Sequence, residues 1–278
     1  MHPLDWCRQR LLVAGNPLTA TLPFADPDNR DAILALRSLV AEIATGGASV
    51  SEPEVGLAKL EWWRTALREE NPHPALLAFR DTGASKHVQP QEFDPVIDGV
   101  AESLENPRFE TTAATWRFCE RVGGQAGILE ARLLDANSEL AAIFGQTGAG
   151  GYLIRIVRDI AIDARSNRWL VPLDLQAEFQ VSRQDAMGEK AGSAFDGLVR
   201  AMLSQALKSG RSAMDELKPE QAWRHRHLVM QWALDRRLAG MLARRPQRIL
   251  QRRVLPGHAG NVWCAWRQAR RLRRNLRA

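Results

Sequence analysis

Arg155, Asp159 and Asp163 stand four residues apart in a stretch otherwise rich in isoleucine, alanine and valine. On a helix this spacing stacks the three side chains in one stripe, because residues four apart are neighbours. Two carboxylates one turn apart can jointly hold a hard cation such as Mg²⁺, and such an ion clamps a diphosphate. The same spacing also describes a solvated helix face with an internal Arg155–Asp159 ion pair, so it leaves both readings open. Other reactive residues form no comparable group. His225 and His227 flank Arg226, and positions two apart on a helix face different ways, which argues against a metal site there. Cys7, Cys119 and Cys264 are far apart with no CxxC pair, which predicts neither a disulfide framework nor a zinc site and points to a reducing cytoplasm. No serine or cysteine sits in a nucleophile motif.

The elements that must position the stripe read as helices throughout. Alanine, leucine and arginine dominate the 278 residues, and no stretch alternates apolar and polar residues. A first short helix and a proline-broken loop occupy residues 1–30. A helix is predicted over about 30–45, ending at Gly46-Gly47, and a second begins at a Ser51–Glu54 capping box. Further helices are predicted at 74–80, 93–104, 111–134, 137–165, 183–210, 219–243 and 259–276. Gly123, Gly124 and Gly127 fall inside one of them. Glycine costs a helix roughly 1 kcal/mol relative to alanine, so close packing or room for a ligand is expected there. No linker or repeat divides the chain, which reads as one domain over 1–278. Of the pair Trp62–Trp63, Trp63 is expected in the core, since adjacent helical residues cannot both face one pocket.

No basic segment followed by an apolar run opens the sequence, so no signal peptide is predicted. No run of about 20 apolar residues suggests a membrane span. The net charge of +6 is concentrated at the end, where no acid follows Asp235. Within 262–278, Trp263, Trp266, Leu272 and Leu276 mix with six arginines. Three readings stand beside one another: a terminal helix docked through its tryptophans with a solvated arginine face, a helix lying on an anionic membrane, or a nucleic-acid surface. No recognised motif supports nucleic acid, and none is expected as a partner.

The order of several motifs is more specific than any one of them. RDIAIDARSNRWLVP (158–172) resembles the second aspartate motif of the squalene/phytoene synthase family, with Arg158, Asp159, Asp163, Arg168 and Pro172 matching. FCERVGGQAG (118–127) is similar to that family's glycine segment. KLEWWR (59–64) is similar to the segment after its first motif. The agreement runs in order over roughly residues 15–275. The resemblance implies an all-α, single-domain helical bundle of the isoprenoid synthase type around a central cavity. It also implies head-to-head condensation of prenyl diphosphates with Mg²⁺, if the chain is active. On that reading Asp159 and Asp163 are catalytic and bind metal, Glu42 is a weak remnant ligand, and Arg158, Arg168 and Arg155 contact the diphosphate.

The departures from the family pattern are as informative. Where the first motif, DDxxD, is expected stand Ala41-Glu42-Ile43-Ala44-Thr45, with one carboxylate. Arg155 replaces a metal-ligand Asn, Tyr152 a Gln, Ile162 an acid and Phe118 a Tyr. A metal held from one wall alone is poorly coordinated; either Arg155 satisfies Asp159 in its place, which is the expectation, or Arg155, Arg158 and Arg168 bind a phosphate or diphosphate without metal. An alternative is therefore a degenerate member acting as a prenyl- or lipid-binding protein or an assembly factor, for which the same superfamily offers a precedent in a mitochondrial complex I assembly factor. The expected partner is a prenyl diphosphate or another isoprenoid lipid. The expected location is cytoplasmic, at the inner face of a membrane if the basic helix touches one.

Overall fold

The computed structural model describes residues 1–48, 52–105 and 107–277, without the side chains of 47 and 48. Among them the helices follow as α1 (Pro3–Leu11), α2 (Leu18–Thr21), α3 (Arg30–Ala48), α4 (Pro53–Arg68), α5 (Pro74–Asp81), α6 (Asp94–Leu104), α7 (Thr112–Cys119) and α8 (Gln125–Leu133). The second half holds α9 (Ser138–Arg165), α10 (Leu173–Phe179), α11 (Arg183–Met187), α12 (Ser193–Asp215), α13 (Pro219–Arg224), α14 (Arg226–Arg244), α15 (Arg248–Gln251) and α16 (His258–Asn275). No strand occurs among the described residues, as the composition predicts.

α9 is the axis. Asn137 caps it by accepting from Leu140 N, and 28 residues follow without a break. By length and composition it could cross a membrane, but 72% of its most apolar window is buried within the protein, which makes it a core helix. α8, α12, α14 and the turn before α8 pack around it. α3 closes the bundle on the far side of a cavity, backed by α1, α4, α5 and α6.

The expected glycine packing is present. A single π-turn over Glu120–Gly124 joins α7 to α8 inside what the sequence predicts as one helix. The extra residue re-aims the chain, as such insertions do. A methyl group on Gly123 would run into the Gly148 carbonyl at 2.6 Å. One on Gly127 would meet the Phe144 carbonyl, and one on Gly148 the Gly123 carbonyl. The two backbones therefore touch, and Gly148→Ala is expected to cost about 1–3 kcal/mol by overpacking. Gly240→Ala is the control. It lies on the exposed face of α14 with nothing within 4 Å, and should gain about 0.5–1 kcal/mol. Urea unfolding of both variants checks the pair.

Three boundaries differ from the expectation. α3 continues through Gly46-Gly47, because Gly46 sits against Trp63, where an added Cβ would lie 3.2 Å from its Nε1. Trp63 is itself buried while Trp62 is exposed, as the spacing predicts. The predicted 183–210 helix breaks after Met187 and resumes at Ser193, and Gln247 bonds into the gap at Ala191 N (3.1 Å). The 219–243 helix breaks at His225. Ser51, with its predicted capping role, lies outside the described residues. Cys7, Cys119 and Cys264 are all free.

Candidate functional site: an apolar cavity rimmed by arginines

A cavity of about 400 Å³ lies between α3, α9 and α14, with the π-turn and α8 behind it. Helical periodicity decides what lines it. α3 contributes Arg37, Val40, Ala41 and Ala44, spaced three and four apart. α9 contributes Phe144, Thr147, Gly148, Tyr152 and Arg155, and Arg158 reaches in beyond them. α14 contributes Leu228, Gln231, Trp232 and Asp235. The charged groups on the walls are thus Arg37, Arg155, Arg158 and Asp235.

Each guanidinium has an internal partner. Arg155 Nη1 donates to Asp235 Oδ1 at 3.1 Å. The sequence predicts Arg155 on Asp159 instead, and the physical reason for the difference is Gly151. Long helical side chains lean toward their helix N-terminus, which carries Arg155 over Gly151, one turn back. The missing side chain there leaves the space that the Asp235 carboxylate occupies. Burial pushes the Asp235 carboxyl above its usual range, against the opposing pull of Arg155, Arg37 and Arg158.

Asp159 is clamped from two sides. Arg158 Nε and Nη2 donate to its two oxygens at 2.9 and 2.5 Å. Arg253, from the strand-like segment after α15, donates to the same oxygens at 2.7 Å each. Burial works against the charged form, yet these bonds hold the Asp159 carboxyl below its usual range. At Asp163 burial dominates and pushes the carboxyl up, with Arg168 only at 3.9 Å. Arg168 also closes the end of α9, its backbone N–H donating to the Asp163 carbonyl at 2.8 Å.

Glu42 lies outside this cavity. Arg10 Nε and Nη2 donate to its Oε1 at 3.1 and 2.9 Å, in a surface groove shared with Lys59, Trp62 and Trp63. It stands about 100° around α3 from Ala41. The structure therefore brings Asp159 and Asp163 together, and Arg155 and Arg158 onto the cavity wall, but leaves Glu42 apart.

A buried network behind Arg37 escaped sequence reasoning. Glu130 on α8 is fully buried and accepts from Arg37 Nε at 2.5 Å. Its other oxygen lies 2.5 Å from His227 Nδ1, and His227 Nε2 lies 3.0 Å from Thr21 Oγ1. Burial would raise the Glu130 carboxyl, but the Arg37 charge and the His227 contact outweigh it and hold it at about 2. Its members come from α2, α3, α8 and α14, far apart in sequence, and no local pattern announces them.

A Mg²⁺ cluster does not fit these residues. Mg²⁺ asks for near-octahedral oxygen ligation. The Asp159 carboxylate is filled by two guanidiniums, the facing wall offers Ala41 and Ala44, and Glu42 is bound elsewhere. Among the described residues no three His, Cys, Asp or Glu side chains converge as metal ligands.

The bundle has the all-α isoprenoid synthase fold. It superposes on a crystal structure of a dehydrosqualene synthase in complex with ligand with a TM-score of 0.81 at 13% identity, covering 99% of this chain and 96% of that one. A squalene synthase from Alicyclobacillus acidocaldarius superposes with a TM-score of 0.69 at 16% identity, over 88% and 94% of the two chains. In sequence, the squalene/phytoene synthase pattern matches residues 15–258, and the chain belongs to that family. A 15-cis-phytoene synthase of Enterobacter agglomerans is 26% identical over 59% of this chain and 57% of its own length. A phytoene synthase of Pseudescherichia vulneris is 22% identical over 79% of this chain and 77% of its own. The matched region thus spans little more than half of the first of these relatives.

Proposed function

We propose that this chain holds a single isoprenoid diphosphate, or a lipid of the same anionic-head, apolar-tail chemistry, without a metal and without ionising it. The observation that carries this is the pairing of three arginines with an apolar cavity whose α3 wall reads Ala41 and Ala44. A diphosphate can take charge-assisted hydrogen bonds from Arg37, Arg155 and Arg158, which all line this cavity. The polyprenyl tail then lies along Val40, Phe144, Leu228 and Trp232. Cavity size supports one occupant: about 400 Å³ is near the low end of the roughly 300–1,000 Å³ of small-molecule pockets, whereas a head-to-head condensation needs two chains side by side.

The chemistry of the relatives' names, phytoene and squalene synthesis, supports the ligand class. The filled Asp159 carboxylate supports the missing step, because without an electrophilic ion the diphosphate has little to leave with. Binding of farnesyl or geranylgeranyl diphosphate, followed by calorimetry, is expected to be unchanged when EDTA replaces Mg²⁺. No diphosphate should be released in either buffer. Ala44→Asp adds a like charge to the wall without touching an arginine, and is expected to weaken binding in EDTA at least about tenfold. Mg²⁺-dependent release of diphosphate by the unaltered chain would overturn the proposal in favour of a synthase.

A further inference from the structure

The last 35 residues carry the chain's basic character. Eleven arginines and no acid lie between Arg244 and Arg277, and without them 27 basic residues face 32 acidic ones. The basic excess is therefore concentrated late in the chain, and five of these arginines lie on α16.

How α16 is held decides which side chains are free. Ala265 and Leu272 are buried, and the Asn261 side chain accepts from Arg237 Nη1 at 2.8 Å. Leu272 joins a small cluster with Phe144, Leu228 and Val229. Trp263 does not dock the helix, and Trp266 borders a groove shared with Pro23, Phe24 and Trp223. Trp263 is 57% exposed and Trp266 37%, and their rings stack on each other at 4.9 Å. Arg267, Arg270 and Arg274 follow on the same face at helical spacing and are exposed. Arg270 lies over the Trp266 ring at 4.9 Å. Val262, the residue before Trp263, adds an exposed apolar group at the edge of this face.

We infer that this face docks the protein on an anionic lipid bilayer, with Trp263 and Trp266 at headgroup depth and the arginines on the lipid phosphates. Basic amphipathic helices with exposed tryptophan partition in this way. Nucleic acid would use the arginines and the stacked rings but not Val262, whose aliphatic surface has no role in base stacking. The docked side of α16 adjoins the cavity. Asn16, Pro17 and Leu18 line it, and the next residue, Thr19, places its Oγ1 3.3 Å from His258 Nδ1 at the start of α16. The membrane inference does not depend on what the cavity binds.

The test is co-sedimentation of the full chain with phosphatidylcholine vesicles, with and without one third phosphatidylglycerol, at low and high salt. Binding to the anionic vesicles alone, weakened by salt, is expected. Arg267→Gln/Arg270→Gln/Arg274→Gln is expected to weaken it on the order of 100-fold, at about fivefold per arginine. Lipids brominated near the headgroup should quench the tryptophan emission, and Trp263→Phe/Trp266→Phe should remove most of that quenching. All five positions are at the surface, and unchanged thermal melts establish that the variants fold. Equal sedimentation on neutral vesicles, undiminished binding by the arginine variant, absence of quenching in the unaltered chain, or tighter binding to duplex nucleic acid than to vesicles would each overturn the inference.

Discussion

Glu130→Ala is expected to remove about 3–5 kcal/mol of stability, the cost of breaking a buried ion pair from one side. That is at least a fifth of the 5–15 kcal/mol typical of a folded domain. Glu130 is fully buried, and both its oxygens are used, one by Arg37 and one by His227. Truncation leaves the Arg37 guanidinium partly buried with no counter-charge, and leaves His227 and Thr21 without the acceptor that orders them. It also loosens four helices at once, since α2, α3, α8 and α14 meet at this carboxylate. Removing both ends tests the cause. Arg37→Leu/Glu130→Leu takes away charge and partner together, and should recover much of the loss, because replacing a buried pair by apolar groups is often neutral. Urea unfolding at pH 7 measures all three. A loss below about 1 kcal/mol in Glu130→Ala would show that the network is not structural. The double variant has a second use. If Arg37 contributes to an anion site, it will bind prenyl diphosphate more weakly however stable it is.

The contrast between α9 and its partners explains what could be read from the sequence and what could not. The helix itself, its Asn137 cap, its Asp159–Asp163 stripe and its glycine-lined contact with the π-turn follow from local rules: 3.6-residue periodicity, capping chemistry and the absence of a side chain at Gly148. The partners of that stripe do not. Asp235 lies 80 residues beyond Arg155, and Arg253 lies 94 beyond Asp159. An arginine in a basic run gives no sign that it pairs with a carboxylate on a distant helix. Glu42 is the instructive case. Its position beside the expected first motif suggested a ligand, but α3 faces the cavity along 37, 40, 41 and 44, a register that excludes 42. That register was present in the sequence as Val40, Ala41 and Ala44, spaced with Arg37 at three and four residues. The two histidines separate as their spacing predicts. What the spacing could not tell is that one would find a carboxylate and the other nothing.

His225 is the one that finds nothing, and it gives the protein a defined acid sensitivity. Its side chain is fully buried against Phe144, with ring centroids 5.0 Å apart. Neither ring nitrogen has a hydrogen-bond partner among the described residues. Burial, helped by the neighbouring Arg224 charge, holds its pKa down to about 4, and Glu130 and Asp135 only partly oppose this. The unfolded chain binds that proton near pH 6.5. Between about pH 6.5 and 4 the unfolded state therefore carries more protons than the native one, and stability falls as pH falls. The full shift corresponds to about 3 kcal/mol, complete only near pH 4. Glu130 acts in a lower window with the same sign: its folded value is about 2, so its contribution is intact above about pH 4.5 and is lost on further acidification. The two windows allow a clean separation. His225→Phe keeps an aromatic ring against Phe144 and removes the titrating group. Its urea midpoint should match the unaltered chain near pH 7.5 and exceed it increasingly from pH 6.5 to 4.5, while the steep loss below pH 4 should remain in both. Parallel curves across the upper window would mean that His225 reaches water or a proton acceptor in solution, and that the acid sensitivity of the fold lies elsewhere.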